Sequence, residues 1–84
     1  MAHTPFFIFI RNKKGILLNT EVKSVSSYNS IGKFDILSTH IQFISVIEGS
    51  VKVVYPDDRM DEIPVGTGVL KVLENKVTVY LADK

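Results

Sequence analysis

Branching at Cβ dominates this chain. Val, Ile and Thr supply 25 of its 84 residues, whereas Ala occurs only at Ala2 and Ala82. A β-branched side chain is stiff at χ1, crowds the preceding turn of a helix and packs well on a pleated surface. Scarce Ala withdraws the best helix former. No ten-residue stretch keeps apolar residues at i, i+3, i+4 and i+7 once its Gly, Pro and β-branched content is counted. The chain is therefore built from strands.

Turn signals divide it into short apolar segments. The run at 6–10 ends at Arg11-Asn12-Lys13-Lys14-Gly15, where the glycine can take the positive φ of a tight turn. Segments 16–18 and 22–28 follow, and Asn29-Ser30-Ile31-Gly32 turns the chain. Segments 34–37 and 41–47 come next, closed by Glu48-Gly49-Ser50. Segments 51–55 and 63–65 flank residues 56–61, and 69–73 and 77–81 are joined by Glu74-Asn75-Lys76. In the last segment Val77, Val79 and Leu81 face one way, Thr78 and Tyr80 the other. Strands with no helix between them lack the long crossovers of a parallel sheet. The expectation is an all-β fold, a flattened sandwich or barrel of two antiparallel sheets with about ten short strands. Residues 1–84 are expected to form one domain, with 1–5 expected to be a frayed terminus.

Composition narrows the function. Ten Lys+Arg against nine Asp+Glu give +1, too balanced for a nucleic-acid footprint. Without cysteine there are no disulfides, thiolate metal sites or cysteine nucleophiles. The longest apolar run, 6–10, is far short of a membrane span and lacks the flanks of a signal peptide. A protein of the cell interior is expected. A chain this small also spares little area for a deep active-site cavity, which argues against an enzyme.

Candidate chemistry is thin. His3 and His40 are the only histidines, and His3 sits on the terminus, so no metal set forms around them. Asp57-Asp58-Arg59-Met60-Asp61-Glu62 is acidic, but Glu62 stands where a calcium loop needs its glycine, and a solvated hairpin tip is the better account. Gly66-Thr67-Gly68 lacks the third glycine and the following helix of a nucleotide loop, and reads as a bend between strands. Ser24, Ser26, Ser27 and Ser30 cluster near Asp35 and His40 without a Gly-x-Ser-x-Gly elbow. No cofactor is expected. The residues alone give a small β-sandwich whose business is binding.

Along nearly its whole length the order of motifs resembles a known family. These are Glu21-Val22-Lys23-Ser24-Val25, residues 31–40 (Ile-Gly-Lys-Phe-Asp-Ile-Leu-Ser-Thr-His), residues 47–53 (Ile-Glu-Gly-Ser-Val-Lys-Val), Gly68-Val69-Leu70-Lys71-Val72 and residues 75–83 (Asn-Lys-Val-Thr-Val-Tyr-Leu-Ala-Asp). Together they resemble the N-terminal β-sandwich of the F-type ATP synthase epsilon subunit. The resemblance implies a non-catalytic rotor part between the gamma subunit and the c-ring, peripheral on the cytoplasmic face of the membrane and not inserted in it. By position it implies that Asn29, Ser30, Ile31, Gly32 and Lys33 face the ring, that His40 lies at or near gamma, and that Asn12 is a weaker candidate there. Lys33 replaces an acidic residue of the family pattern and Asp35 a glycine, while Ser38 and Gln42 stand at two family prolines. Those departures keep a second reading open, a free-standing protein-binding adaptor that has left the complex. Longer relatives continue past the Ala-Asp into two helices that brake hydrolysis, and short forms lack them. Neither a brake nor ATP binding is expected of these 84 residues.

Overall fold

The computed structural model describes residues 6–37 and 42–82. Seven strands form the described chain, with no helix among them: β1 (Phe6–Asn12), β2 (Gly15–Val22), β3 (Ser24–Asn29), β4 (Gly32–Ile36), β5 (Phe43–Val54), β6 (Met60–Leu73) and β7 (Lys76–Leu81). They lie in one hydrogen-bonded sheet of order β2-β1-β7-β6-β5-β3-β4. The all-β architecture is the expected one, but its construction differs from the expected pair of antiparallel sheets in three respects.

First, two pairs of expected segments are joined: Phe43–Val54 is one strand in place of separate segments at 41–47 and 51–55, and Met60–Leu73 is one strand in place of 63–65 and 69–73. The β5–β6 ladder runs from Phe43↔Val72 to Val54↔Met60 and shifts register only between Gly49 and Ser50. Gly49 pairs with Gly66 and Ser50 with Pro64, so Val65 is an extra residue. Gly49 and Gly66 have φ of 88° and 64°, values costly for a side-chain-bearing residue. Glu48-Gly49-Ser50 is thus a bulge that bends a continuous ribbon, and does not end a strand. Burial in β6 records the bulge: Val65 points inward with Ile63, then Gly68, Leu70 and Val72 do so, one residue out of phase.

Second, the bend folds the sheet over onto itself. One half is β2, β1, β7 and residues 43–48 and 67–73; the other is β3, β4 and residues 50–54 and 60–64. Phe6, Ile8, Ile10, Leu70, Val77 and Val79 from the first half share a core with Val25, Ile36, Val51 and Val53 from the second. Phe34 of β4 meets Phe43 of β5 edge to face, with ring centroids 5.5 Å apart.

Third, β1 and β7 are parallel. The rest of the chain supplies the long crossover that a parallel pair needs, which is why reasoning from adjacent strands does not find it. Where β3 leaves β5 at the bend, the fully buried Ser27 donates its hydroxyl to the Ser50 carbonyl at 2.8 Å. That bond satisfies an acceptor the disturbed ladder leaves open.

Candidate functional site

The turn expected to face a partner is the tip of the β3–β4 hairpin. Asn29 Oδ1 accepts hydrogen bonds from the backbone N–H of Ile31 at 2.9 Å and of Gly32 at 3.2 Å. This Asx geometry holds the turn, and Asn29 Nδ2 reaches back to Ser45 Oγ at 3.3 Å. Asn29 therefore shapes the tip and ties it to β5. Ser30, Gly32 and Lys33 are exposed, and Ile31 is 94% exposed, the barest large apolar residue among those described. A shallow depression of about 430 Å³ runs from Ile31 and Asn29 to Val46, Glu48 and Thr67.

Both family departures in β4 are accommodated locally. Lys33 lies opposite Tyr28, and Asp35 lies opposite Ser26, whose hydroxyl donates to the Asp35 carboxylate. Asn12 plays the same part as Asn29 at the β1–β2 tip: its Oδ1 accepts from Lys14 N at 2.8 Å and Gly15 N at 3.1 Å. Strand register puts both tips near the bend, since Arg11 pairs with Tyr80, Gly68 with Leu81 and Tyr28 with Glu48. His40 lies outside the described residues, as do Ser38 and His3.

The acidic stretch forms the far hairpin between β5 and β6, and its carboxylates have neighbours. Lys23 pairs with Asp58, and Ser50 Oγ donates to Glu62 Oε2 at 2.7 Å. Arg59 donates from N at 3.1 Å and Nε at 2.7 Å to Asp57, holding that carboxyl below its ordinary range, chiefly through the backbone N–H. Tyr55 Oη donates to Asp61 Oδ2 at 2.6 Å, and that bond first, then burial, raises the phenol above its usual value. These contacts stiffen a solvated tip.

Strand register shows a surface that the sequence motifs did not single out. Three rows of side chains cross the outer side of the first half. They read Ile16, Arg11, Tyr80, Val69, Val46; then Asn19, Phe9, Thr78, Lys71, Ile44; then Glu21, Phe7, Lys76, Leu73. Ile44 and Val46 are 68% and 63% exposed. The signal was present as unbroken apolar runs within strands, 6–10 above all. Strict alternation marks a sheet with one wet face, and continuous runs mark one covered on both.

A family model for the "ATP synthase, Delta/Epsilon chain, beta-sandwich domain" matches residues 6–84. The chain is similar to the ATP synthase epsilon chain of a Nitratiruptor species, with 29% identity over 69 residues, 81% of this chain and 54% of that relative. Its fold is similar to a chain in the Euglena gracilis mitochondrial ATP synthase (OSCP/F1/c-ring, rotational state 1), with TM-score 0.85, 15% identity, and coverage of 94% of this chain and 51% of that one. It is likewise similar to a chain in the Tetrahymena thermophila mitochondrial ATP synthase central stalk/c-ring, with TM-score 0.78, 12% identity and coverage of 99% and 67%. The chain thus spans about half the length of the curated relative it matches.

Proposed function

The chain belongs to the ATP synthase delta/epsilon-chain β-sandwich domain family, and from that premise we propose that it is a non-catalytic part of a synthase central stalk, joining the gamma subunit to the c-ring. The observation that carries this reading is the family match along the entire described sandwich. The sandwich is one domain that stands at the ring as a peripheral part. No helix among the described residues is long and apolar enough to cross a membrane.

The geometry suits such a part. A torque-bearing link must resist shear, and here β5 and β6 stay paired on both sides of the bend, with a single register shift at Gly49/Ser50. The Asn29-held tip presents Ile31 and Lys33 on a short, stiff hairpin, and in this reading residues 29–33 meet the ring while His40 and Asn12 lie toward gamma. Lys33 then calls for an acidic or polar group on the facing ring loop, because like charges across an interface cost affinity.

Co-expression with the gamma subunit of the same organism, followed by size-exclusion chromatography with light scattering, tests the reading. A stable one-to-one complex supports it. A monomer eluting beside folded gamma overturns it in favour of the free-standing adaptor. With the cognate ring in hand, Lys33→Glu should weaken ring binding; unchanged binding would remove the tip from that contact.

A further inference from the structure

The β3–β4 tip stands beside an open edge. β3 pairs with β5 only from Glu48 to Val54, so residues 43–47 of β5 have β6 on one side and none of the described strands on the other. Where that ladder ends, side chains replace it. Asn29 Nδ2 donates to Ser45 Oγ at 3.3 Å, and Ser45 Oγ donates to the Val46 carbonyl at 3.1 Å. The depression of about 430 Å³ lies in this angle, with Ile31, Val46, Glu48 and Thr67 among its walls. Asn29 and Ser45 answer one another there. Glu48 does not: its exposed carboxylate has no hydrogen bond or ion pair among the described residues.

Register sets what surrounds that carboxylate. Lys33, Tyr28, Glu48 and Thr67 pair in one row across β4, β3, β5 and β6, and all four are exposed on one face. Two strand spacings, about 10 Å, part the backbones at Lys33 and Glu48, and no ion pair closes between them. The Tyr28 ring lies on this face against Gly49, whose Cβ position would be 3.8 Å from Tyr28 Cδ1. An acid and a cation thus stand apart, each open to an outside group. The depression also selects its occupant. An anion meets repulsion from Glu48, and an apolar side chain would bury that carboxylate without a partner. A long cationic side chain suits both parts, its methylene stem along Ile31 and Val46 and its head at Glu48.

We propose that this depression is a subsite for one arginine or lysine side chain of a partner loop, with Glu48 as its counter-ion, and that Glu48 and Lys33 together fix the loop's register. The proposal rests on the stalk reading in taking the c-ring as the partner. The loop then carries a cation for Glu48 and an acidic or carbonyl group for Lys33, about 10 Å apart. A loop with those charges exchanged meets like against like at both places, so the pair acts on specificity as well as affinity. Asn29 and Ser45 are positioning residues, since their bond holds the tip beside the open edge.

The test measures binding of the cognate c-ring, in detergent, to the immobilised chain, with the folding of each variant checked by urea unfolding. Glu48→Gln should weaken the complex by about tenfold at an unchanged unfolding midpoint, and Glu48→Lys by more. Glu21→Gln, the same charge change on β2, should alter it less than about twofold. Replacing the loop's cationic residue by Gln should cost about tenfold against wild type and nothing further against Glu48→Gln. Additive losses would overturn the pairing. The exchange of Lys33→Glu with Glu48→Lys keeps the net charge and should bind at least as weakly as either single variant. Wild-type binding by that double variant would show that net charge governs the contact, and would overturn the subsite. A Glu48→Gln complex of wild-type strength, with Lys33→Glu still weakened, overturns the subsite and leaves the stalk reading standing. Absence of any wild-type complex overturns both together.

Discussion

The row Asp35, Ser26, Lys52, Glu62 crosses one outer face of the folded sheet, and the row Arg11, Tyr80, Val69, Val46 crosses the other. Both rows sit over the same core and both include residues of β5 and β6. In the first, side chains answer one another: Ser26 bonds Asp35, and the neighbouring Ser50 bonds Glu62 at 2.7 Å. In the second, apolar surface faces outward with cations set into it. Along these two rows one ribbon thus changes from polar side chains that bond one another to an apolar surface set with cations. The change happens at the Gly49–Gly66 bend, although the first face also exposes Leu37 and Met60 in its neighbouring rows.

The comparison can be broken from the inside first. Ile8→Ala, beneath the apolar face, should lower stability by about 2–5 kcal/mol, whereas Val69→Ala directly outside it should cost less than about 1 kcal/mol. Urea unfolding of both variants checks this; equal losses would mean the outer face is as structural as the inner. The bend comes next. Gly66 has φ of 64° and open space around its Cβ position, so Gly66→Val isolates backbone strain. It should cost about 1–2 kcal/mol.

Smaller effects sharpen the contrast between the faces. The isolated chain should bind a hydrophobic dye, and Val46→Thr with Val69→Thr should lower that fluorescence severalfold without altering the unfolding midpoint by much, because Thr keeps the β-branched backbone preference. Lys52→Thr on the polar face should leave dye binding unchanged. At the first half's own turn, Glu74 and Asn75 form a two-residue loop with φ of 49° and 68°. Glu74→Asn should add about 0.5 kcal/mol, since Asn tolerates the left-handed region better than Glu.

The smallest effect is at the far hairpin. Tyr55 is raised above 10.0 in the folded protein, so its contribution is complete below pH 10 and disappears as pH rises through the raised value. Tyr55→Phe should flatten the fall in stability above pH 10 and cost less than about 1 kcal/mol at neutral pH. A spectrophotometric tyrosine titration beside urea unfolding reads both.

Much of this is legible in the sequence, and the reasons are local. The β-branched content excludes helices, the alternation in 77–81 places Val77 and Val79 inward, and Asn29-Ser30-Ile31-Gly32 and Asn12 to Gly15 are turns because Asn and Gly supply the bonds and φ that turns need. Motif order points to the family that matches residues 6–84. Two signals mean more in the fold than they do locally. Gly49 and Gly66 each look like ends or bends, but only their pairing across β5 and β6 makes them one bulge in one ribbon. The run at 6–10 reads as an apolar strand, and only its neighbours in the sheet show that its alternate residues join an outward-facing apolar surface.

By itself the sequence determined the strands, their turns and most of the core, since side-chain branching, alternation and turn chemistry act between near neighbours. The tertiary structure alone decided that β1 lies parallel to β7, that Ser27 serves the bend, and that Tyr80, Val69 and Val46 stand in one exposed row. Each of those depends on register between segments far apart in the chain, and register is a property of the whole sheet, which no single segment encodes.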